Sequence, residues 1–200
     1  MTLLVYGLVI LAALMHALWN FAAKKVAGSL SLLWVGNSLA ALCCLPLAVY
    51  FAITTNFDPG VVPLLFATAV IHAVYFLYLS KVYQLGDIST VYPIQRGIGV
   101  AGTAILGYFL LGEAISALGL AGISLVCIGV GFIGLVRLDL GKQRQALLYC
   151  FVVGLTIAGY SIVDKIAVGY LNPILFIFIQ TTTVAIFLTP YALGKLKLET

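Results

Sequence analysis

Long apolar runs separated by short polar segments divide the chain into seven windows. Each is about 20 residues long, the length that a helix needs to cross the hydrocarbon core of a membrane. The windows cover residues 3–23, 30–53, 61–80, 91–111, 115–136, 146–163 and 171–191. The first has no basic residues before it and six windows after it, so it reads as a helix and not as a signal peptide. The pattern predicts an all-α, polytopic membrane protein with seven transmembrane helices.

Composition agrees with this pattern and limits the kinds of partner that the protein can have. Hydrophobic residues make up 64% of the 200, charged residues 8%, and mean hydropathy is +1.20, whereas soluble domains carry about 25% charged residues. The net charge of +4 comes from basic residues scattered at helix ends, which excludes a nucleic-acid-binding stripe. The expected surroundings are a lipid bilayer.

The distribution of basic residues predicts the orientation of the N-terminus. If the loops alternate between the two faces, one face holds Lys24, Lys25, Lys81, Arg137, Lys142, Arg144, Lys195 and Lys197, while the other holds only Lys165. The face that is richer in Lys and Arg is usually cytoplasmic. This count therefore predicts an outside N-terminus.

The sequence repeats itself at an offset of about 141 residues. The segment "ALMHALWNFAAKKVAG" (13–28) aligns with "GLTIAGYSIVDKIAVG" (154–169). The aligned pairs include Trp19 with Tyr160, Asn20 with Ser161, Lys24 with Lys165 and Gly28 with Gly169. Five helices separate the two starts, so the second copy enters the membrane from the opposite face, as in transporters with inverted repeats. We expect a first five-helix repeat in residues 1–140 and the start of a second in 146–200.

Two such units need roughly 280 residues. The expectation is therefore a fragment that lacks three of ten helices, or a chain that forms a dimer or pairs with a second half supplied by another chain. The fragment is the favoured interpretation.

Arg96 is a charged residue within the fourth window. Placing an arginine at the centre of a membrane helix costs about 2.5–3.5 kcal/mol, which favours a functional role. It lies roughly 8 Å from the helix start by helical rise, so snorkelling to the headgroups is the alternative. The spacing of Tyr92, Arg96, Gly99 and Thr103 puts them on one helix face and favours function. Pro93 and Gly97 predict a broken or kinked segment here.

Polar and aromatic side chains mark further helices. They are His16, Trp19, Asn20 and Lys24 in or just after the first window, His72 and Tyr75 in the third, and Thr156, Tyr160 and Asp164 in or just after the sixth. Each alone could be interhelical glue or an interface anchor. Together they predict a partly polar interior. Asp164 is a candidate counter-ion for Arg96 or Lys24, or a proton carrier, whereas Glu113 is expected to orient the turn after the fourth helix.

The remaining motifs give little indication of function. "GIGVAG" (97–102) has the glycine spacing of a dinucleotide site but no preceding strand, so close helix packing is expected; the glycines of the fifth window suggest the same. Cys43, Cys44, Cys127 and Cys150 read as small hydrophobic residues. Neither a catalytic nor a nucleotide-binding motif occurs, so we expect no enzyme activity, no cofactor or metal, and secondary transport if any.

Four segments resemble the EamA-type branch of the drug/metabolite transporter superfamily: "HALWNFAAKK", "GDISTVYPIQRG", "LGE" and "YSIVDKIAV". The resemblance implies a ten-helix carrier of the bacterial inner membrane made of two inverted five-helix repeats. It also implies outward movement of metabolites, often amino acids or related compounds, through a cavity lined by helices including 1, 3, 4 and 6. Its members usually have an inside N-terminus, opposite to the charge count.

The leading hypothesis is a secondary transporter that binds a small anionic or zwitterionic metabolite. Arg96 would bind it with help from His16, Asn20, Lys24 and Tyr92, and protons are a possible coupling ion. Trp19, His72, Tyr75 and Tyr160 are further candidate binding residues. The alternative is a membrane scaffold or assembly subunit whose polar residues only hold helices together.

Overall fold

The computed structural model describes residues 3–26, 28–55, 58–137 and 140–199, with side chains for all of these except 134–137, 140–143 and 195–199. The secondary-structure elements within those ranges are all helical. The α-helices are α1 (Leu3–Lys25), α2 (Leu30–Thr54), α3 (Val62–Leu85), α4 (Ile88–Leu111), α5 (Ala117–Arg137), α6 (Leu140–Ala167) and α7 (Pro173–Glu199), with a 3₁₀ turn at Pro59–Val61 before α3. The all-α prediction is confirmed.

Six of these helices are long and apolar enough to cross a membrane. In the part of the chain whose side chains are described, they include every helix except α5, whose apolar stretch Ala117–Ile133 is shorter. The chain is thus a polytopic integral membrane protein with six candidate spans. A seventh crossing by α5 stays a prediction.

Helix α3 lies at the centre of the packing. Eleven of its 24 residues are buried, and α6 and α7 both pack against it. Helix α6 also packs along α4, and α5 lies against α4. Polar interior residues of α3, α4 and α6 therefore face one another, as the polar patterns of those windows suggest.

Helices α2 and α7 pack along each other in opposite directions. Ser31 Oγ, near the start of α2, donates to the carbonyl oxygen of Ala192 near the end of α7 at 3.3 Å. One turn further, Trp34 Nε1 donates to the carbonyl oxygen of Ala185 at 3.0 Å and to Thr189 Oγ1 at 3.1 Å. Because the indole N–H and the hydroxyl are satisfied across the interface, these bonds fix the register of the pair.

Helix α1 has few contacts by comparison. Only Asn20 and Ala23 of its 23 residues are buried, both near its C-terminal end, where it lies against α3. The chain then turns at Gly28, which has a positive φ of 63° and approaches α3 so closely that a Cβ would lie 2.5 Å from the Ser80 carbonyl oxygen. A glycine is therefore required at this turn. Gly169, its partner in the repeat alignment, is not among the glycines with positive φ.

The glycines of "GIGVAG" do serve close packing. A Cβ on Gly99 would lie 2.6 Å from Ile157 Cγ2, and one on Gly102 would lie 2.8 Å from Ala158 Cβ, both on α6. The glycines of α5 behave differently: Gly122, Gly129 and Gly131 have open space where a Cβ would be. The expected close approach of another helix to α5 is wrong for these three described positions, because nothing lies within 4 Å of a Cβ there.

The expected break at Pro93 is also wrong. Helix α4 runs without interruption from Ile88 to Leu111. Pro93 falls in the second turn, so the bond it cannot donate is the one to Ser89 in the first turn, close to the helix end.

The prediction of an outside N-terminus rests partly on the charges of Arg137, Lys142, Lys195 and Lys197. The side chains of these four residues lie outside the described part of the structure, and the same holds for Gly134 of the fifth window.

Candidate functional site

A cavity of about 350 Å³ lies among α4, α5 and α6, beside Arg96. Its polar and small lining residues are Arg96, Gly99 and Thr103 of α4, Ser161 of α6, and Glu113 of the α4–α5 turn. Gly99 and Thr103 follow Arg96 at helical spacing, so one face of α4 forms a wall of the cavity. The structure therefore places Arg96 against a cavity between packed helices.

The guanidinium of Arg96 has no acidic partner among the described residues. One of its terminal nitrogens donates to His16 Nε2 of α1, so the proton of a neutral His16 lies on Nδ1. The guanidinium carbon lies 5.5 Å from the centre of the Tyr92 ring, in cation–π geometry. Its Nε is buried and lacks a hydrogen-bond partner. Arg96 thus keeps an uncompensated positive charge and an unused donor.

Glu113 does not neutralise Arg96, because its carboxylate forms an ion pair with Lys165 of α6. Both side chains are about half exposed, at 44% and 57%. The expected role of Glu113 at the α4–α5 turn is compatible with its backbone N–H, which donates to the carbonyl oxygen of Gly107 at 3.2 Å. Counted together, Arg96, Glu113 and Lys165 carry one positive charge.

Asn20 and Lys24 hold α1 against the end of α3. Asn20 Nδ2 donates to the carbonyl oxygen of His16 at 2.7 Å, and its Oδ1 accepts from the buried Tyr83 hydroxyl at 2.7 Å. Lys24 Nζ donates to the carbonyl oxygens of Tyr83 and Gly86, each at 2.7 Å. These carbonyls end α3 and lack helical partners, so a cation there completes the helix terminus. The polar atoms of both residues are used within the fold.

Trp19 lies apart from the Arg96 cavity. Its ring packs on α2 at Gly36, where a Cβ would lie 3.1 Å from the ring. It lines a separate, mostly apolar depression with Asn37 and Phe76. The structure therefore brings Arg96, His16 and Tyr92 together but leaves Trp19 outside that group.

A second polar group joins α3 to α6, and we call Thr68, His72, Tyr160 and Asp164 the α3–α6 cluster. Thr68 Oγ1 donates to Asp164 Oδ1. His72 Nδ1 lies 3.0 Å from both the hydroxyl and the carbonyl oxygen of Thr68, and His72 Nε2 lies 3.9 Å from Asp164 Oδ2. The His72 ring stacks on Tyr160 with centroids 4.2 Å apart. Asp164 pairs with neither Arg96 nor Lys24 among the described residues.

Aromatic rings connect this cluster with Arg96. Tyr75 meets Tyr160 edge to face at 5.8 Å and lies 6.4 Å from His72. Ser161, which follows Tyr160 in the chain, lines the Arg96 cavity. The candidate residues of α3, α4 and α6 thus form one connected region.

Three residues of this region were not among the sequence-based candidates. Gln95 is 1% exposed and its Oε1 has no partner; as an amide beside Arg96 in an apolar window it could have been singled out. Thr68 precedes His72 by four residues, the spacing of neighbours on one helix face. Tyr83 gave no comparable signal, because its role depends on where α1 crosses α3.

The profile of the EamA-like transporter family matches residues 3–135, about two thirds of the chain. The chain is 35% identical over 72 residues to the multidrug resistance protein EbrB of Bacillus atrophaeus, covering 36% of this chain and 62% of that protein. It is 44% identical over 55 residues to EbrB of Bacillus subtilis strain 168, covering 28% and 47%. No solved structure matches.

The matched segments span about half to three fifths of the length of these relatives. The matched family consists of membrane transporters, so the expectation that the chain is not an enzyme is confirmed. The resemblance read from the four sequence segments is confirmed as well. The chain belongs to the EamA-like transporter family, within the drug/metabolite transporter superfamily.

Proposed function

We propose that this chain forms part of a secondary transporter that binds a small molecule carrying a carboxylate or another anionic group in the Arg96 cavity. The observation that carries the proposal is the state of Arg96. It lies in a membrane-spanning helix and borders a cavity, it has no acidic partner among the described residues, and its buried Nε has no hydrogen-bond partner there. An arginine fork suits carboxylates and related anions, which it can bind through two parallel hydrogen bonds.

The substrate class follows from the charge near the cavity. Glu113 lines the cavity as well, but its carboxylate pairs with Lys165, which leaves the charge of Arg96 without an acidic partner among the described residues. An anion or a zwitterion such as an amino acid is attracted, and a cation is repelled. Both relatives are named multidrug resistance proteins, so drugs are the competing substrate class.

The direction and architecture proposed are those of the family resemblance. Export from the bacterial inner membrane can be tested in everted vesicles, which take up what whole cells release.

The antiparallel contact of α2 with α7 supports the two proposed inverted repeats, 1–140 and 146–200. Corresponding helices of two inverted repeats meet at a two-fold axis in the membrane plane, and α2 and α7 are such a pair. We propose further that a second copy or a second half covers α1, which can be tested by measuring the oligomeric state in lipid nanodiscs.

The test of the binding site uses three probes: glutamate for anions, alanine for zwitterions, and tetraphenylphosphonium for cations. Binding to the purified protein in nanodiscs is measured by calorimetry, and counterflow of the bound probe is measured in liposomes. Loss of a charge-assisted hydrogen bond costs about 1.5–3 kcal/mol, which is about 10- to 150-fold in affinity. We expect Arg96→Gln to weaken glutamate binding by that factor and Arg96→Lys to weaken it less.

Lys81→Gln is the matched control. Lys81 is an exposed cation of α3 that lies 4.9 Å from the centre of the Tyr78 ring, away from the cavity, so its removal should leave glutamate affinity unchanged. Equal binding by parent and Arg96→Gln would leave snorkelling as the role of the arginine. Tight binding of tetraphenylphosphonium alone would favour the drug class over the anionic one.

A scaffold without transport is the second candidate function. The saturated bonds of Asn20 and Lys24 favour it, since these residues behave as interhelical glue. A scaffold would show no counterflow with any probe, whereas a transporter exchanges at least one of them. The counterflow assay therefore separates the two functions.

A further inference from the structure

The contacts of His72 fix which of its ring nitrogens carries a proton. Nδ1 lies 3.0 Å from the carbonyl oxygen of Thr68, which can only accept, so Nδ1 must be the donor. The Thr68 hydroxyl gives its own proton to Asp164, so its oxygen too can only accept from Nδ1. In a neutral His72, Nε2 is therefore unprotonated.

Two acceptors consequently face each other across the α3–α6 interface. Nε2 of neutral His72 lies 3.9 Å from Asp164 Oδ2, which is beyond hydrogen-bonding distance. Both side chains are largely removed from water, with 9% and 23% of their surfaces exposed. A carboxylate in such a place needs a compensating charge or a proton. Only Thr68 donates to it among the described residues.

We propose that the gap between His72 Nε2 and Asp164 Oδ2 is a one-proton site that regulates anion binding at Arg96. Without the proton the pair carries one negative charge; with it the pair is neutral. The proton comes from water and rests on Nε2 or on the carboxyl oxygen, and in either place it turns two facing acceptors into a hydrogen-bonded pair. Closing the gap requires the imidazole and carboxyl to approach by about 1 Å.

The influence on Arg96 is electrostatic. Tyr75 of α3 and Tyr160 of α6 face His72. The other charged or titratable groups of the region are Arg96 with Tyr92 and His16, and Lys165 with Glu113. Among the described residues, Arg96 is the one cation of this set without an acidic partner. A charged Asp164 offsets part of its field, and a protonated pair does not. Proton binding therefore strengthens anion binding, and by reciprocity a bound anion strengthens proton binding.

Tyr160 gives this coupling a structural route. Its ring stacks on His72 and lies one helical turn before Asp164, and the next residue of the chain, Ser161, lines the Arg96 cavity. A movement of the imidazole toward Asp164 shifts the surface against which Tyr160 packs. The inference rests on the proposed anion site but can be tested without it.

The first experiment detects the proton itself. Infrared difference spectra of the parent protein are recorded between mildly alkaline and mildly acidic solution, and the carbonyl stretch of a protonated carboxyl is followed. We expect Asp164→Asn to remove a band of a buried carboxyl. Asp58→Asn, at an exposed aspartate that accepts from the Gly60 N–H, should not remove it. His72→Gln should shift that band, because the group facing the carboxyl changes.

The second experiment measures regulation. We expect the parent to bind glutamate about tenfold more tightly in the acidic solution. Asp164→Asn, which is permanently neutral, should bind it with the acid-side affinity at every pH. A buried-carboxyl band that survives in Asp164→Asn, or one that responds to sodium but not to pH, would overturn the proton site. If the band behaves as expected but glutamate does not bind, the anion site fails while the proton site stands.

Discussion

The close approach of α4 and α6 can be tested by adding a single methyl group. In Gly99→Ala the new Cβ would lie 2.6 Å from Ile157 Cγ2 and 2.9 Å from Ile157 Cβ, whereas carbons normally approach to about 3.5–4.0 Å. A change of rotamer moves Cγ2, but Cβ is attached to the backbone. The helices must therefore separate by a few tenths of an ångström or more.

Overpacking of this kind costs about 1–3 kcal/mol. Replacing a helical glycine by alanine also brings a gain of about 1 kcal/mol in helix propensity, which hides part of the cost. Gly122→Ala in α5 provides the matched control, because no atom lies within 4 Å of the added Cβ and the propensity gain is shared. The difference between the two variants isolates packing, so we expect Gly99→Ala to be about 1–3 kcal/mol less stable than Gly122→Ala.

The free energy of unfolding is measured by denaturant titration in mixed micelles, with tryptophan fluorescence as the signal. The Ile157→Ala variant removes Cγ2, so the double variant with Gly99→Ala should be more stable than the sum of the single effects predicts. Equal stabilities of Gly99→Ala and Gly122→Ala, together with additive effects in the cycle, would mean that α4 and α6 do not meet at Gly99.

Two further predictions concern contacts between helices. Tyr83→Phe removes the hydroxyl that donates to Asn20 Oδ1 at 2.7 Å. It leaves a buried acceptor unsatisfied, so the same titration should show a loss of about 1–3 kcal/mol; a neutral effect would mean that water reaches Asn20. Glu113→Gln breaks the ion pair with Lys165, but both side chains are about half exposed, so the change should stay below about 1 kcal/mol, and a larger loss would indicate a buried pair.

The fold could be predicted largely from the sequence, because membrane helices are specified by local composition. The seven apolar windows correspond to the seven α-helices within about five residues, apart from α6, which begins earlier, and α7, which ends later. The predictions that were wrong depended on the position of a residue within its helix. Pro93, for example, does not break α4, because it lies in the second turn. The small residues of α5 were expected to pack as those of α4 do, but composition does not say which face meets a neighbour.

The site was less predictable for a related reason. The polar residues were found because each is conspicuous in an apolar helix, but their partners belong to other helices. Lys24 and Lys165 align in the repeat, yet Lys24 binds carbonyl oxygens at the end of α3 and Lys165 pairs with Glu113. Helical spacing places residues on a face, and only the packing of α1, α3, α4 and α6 decides which faces meet.

Hydrogen-bond saturation distinguishes the polar residues that hold helices together from those that are available to a ligand. Lys24, in the last turn of α1, and Arg96, inside α4, are both cations of apolar helices, where burying a charge is costly. The cost of Lys24 is offset within the fold, by two carbonyl oxygens. Arg96 retains a buried Nε without a partner, an omission worth about 1–3 kcal/mol. A bound anion could satisfy this donor, recover that free energy and then dissociate, as the substrate of a carrier must. In a permanent scaffold we would expect the donor to have a fixed partner within the fold.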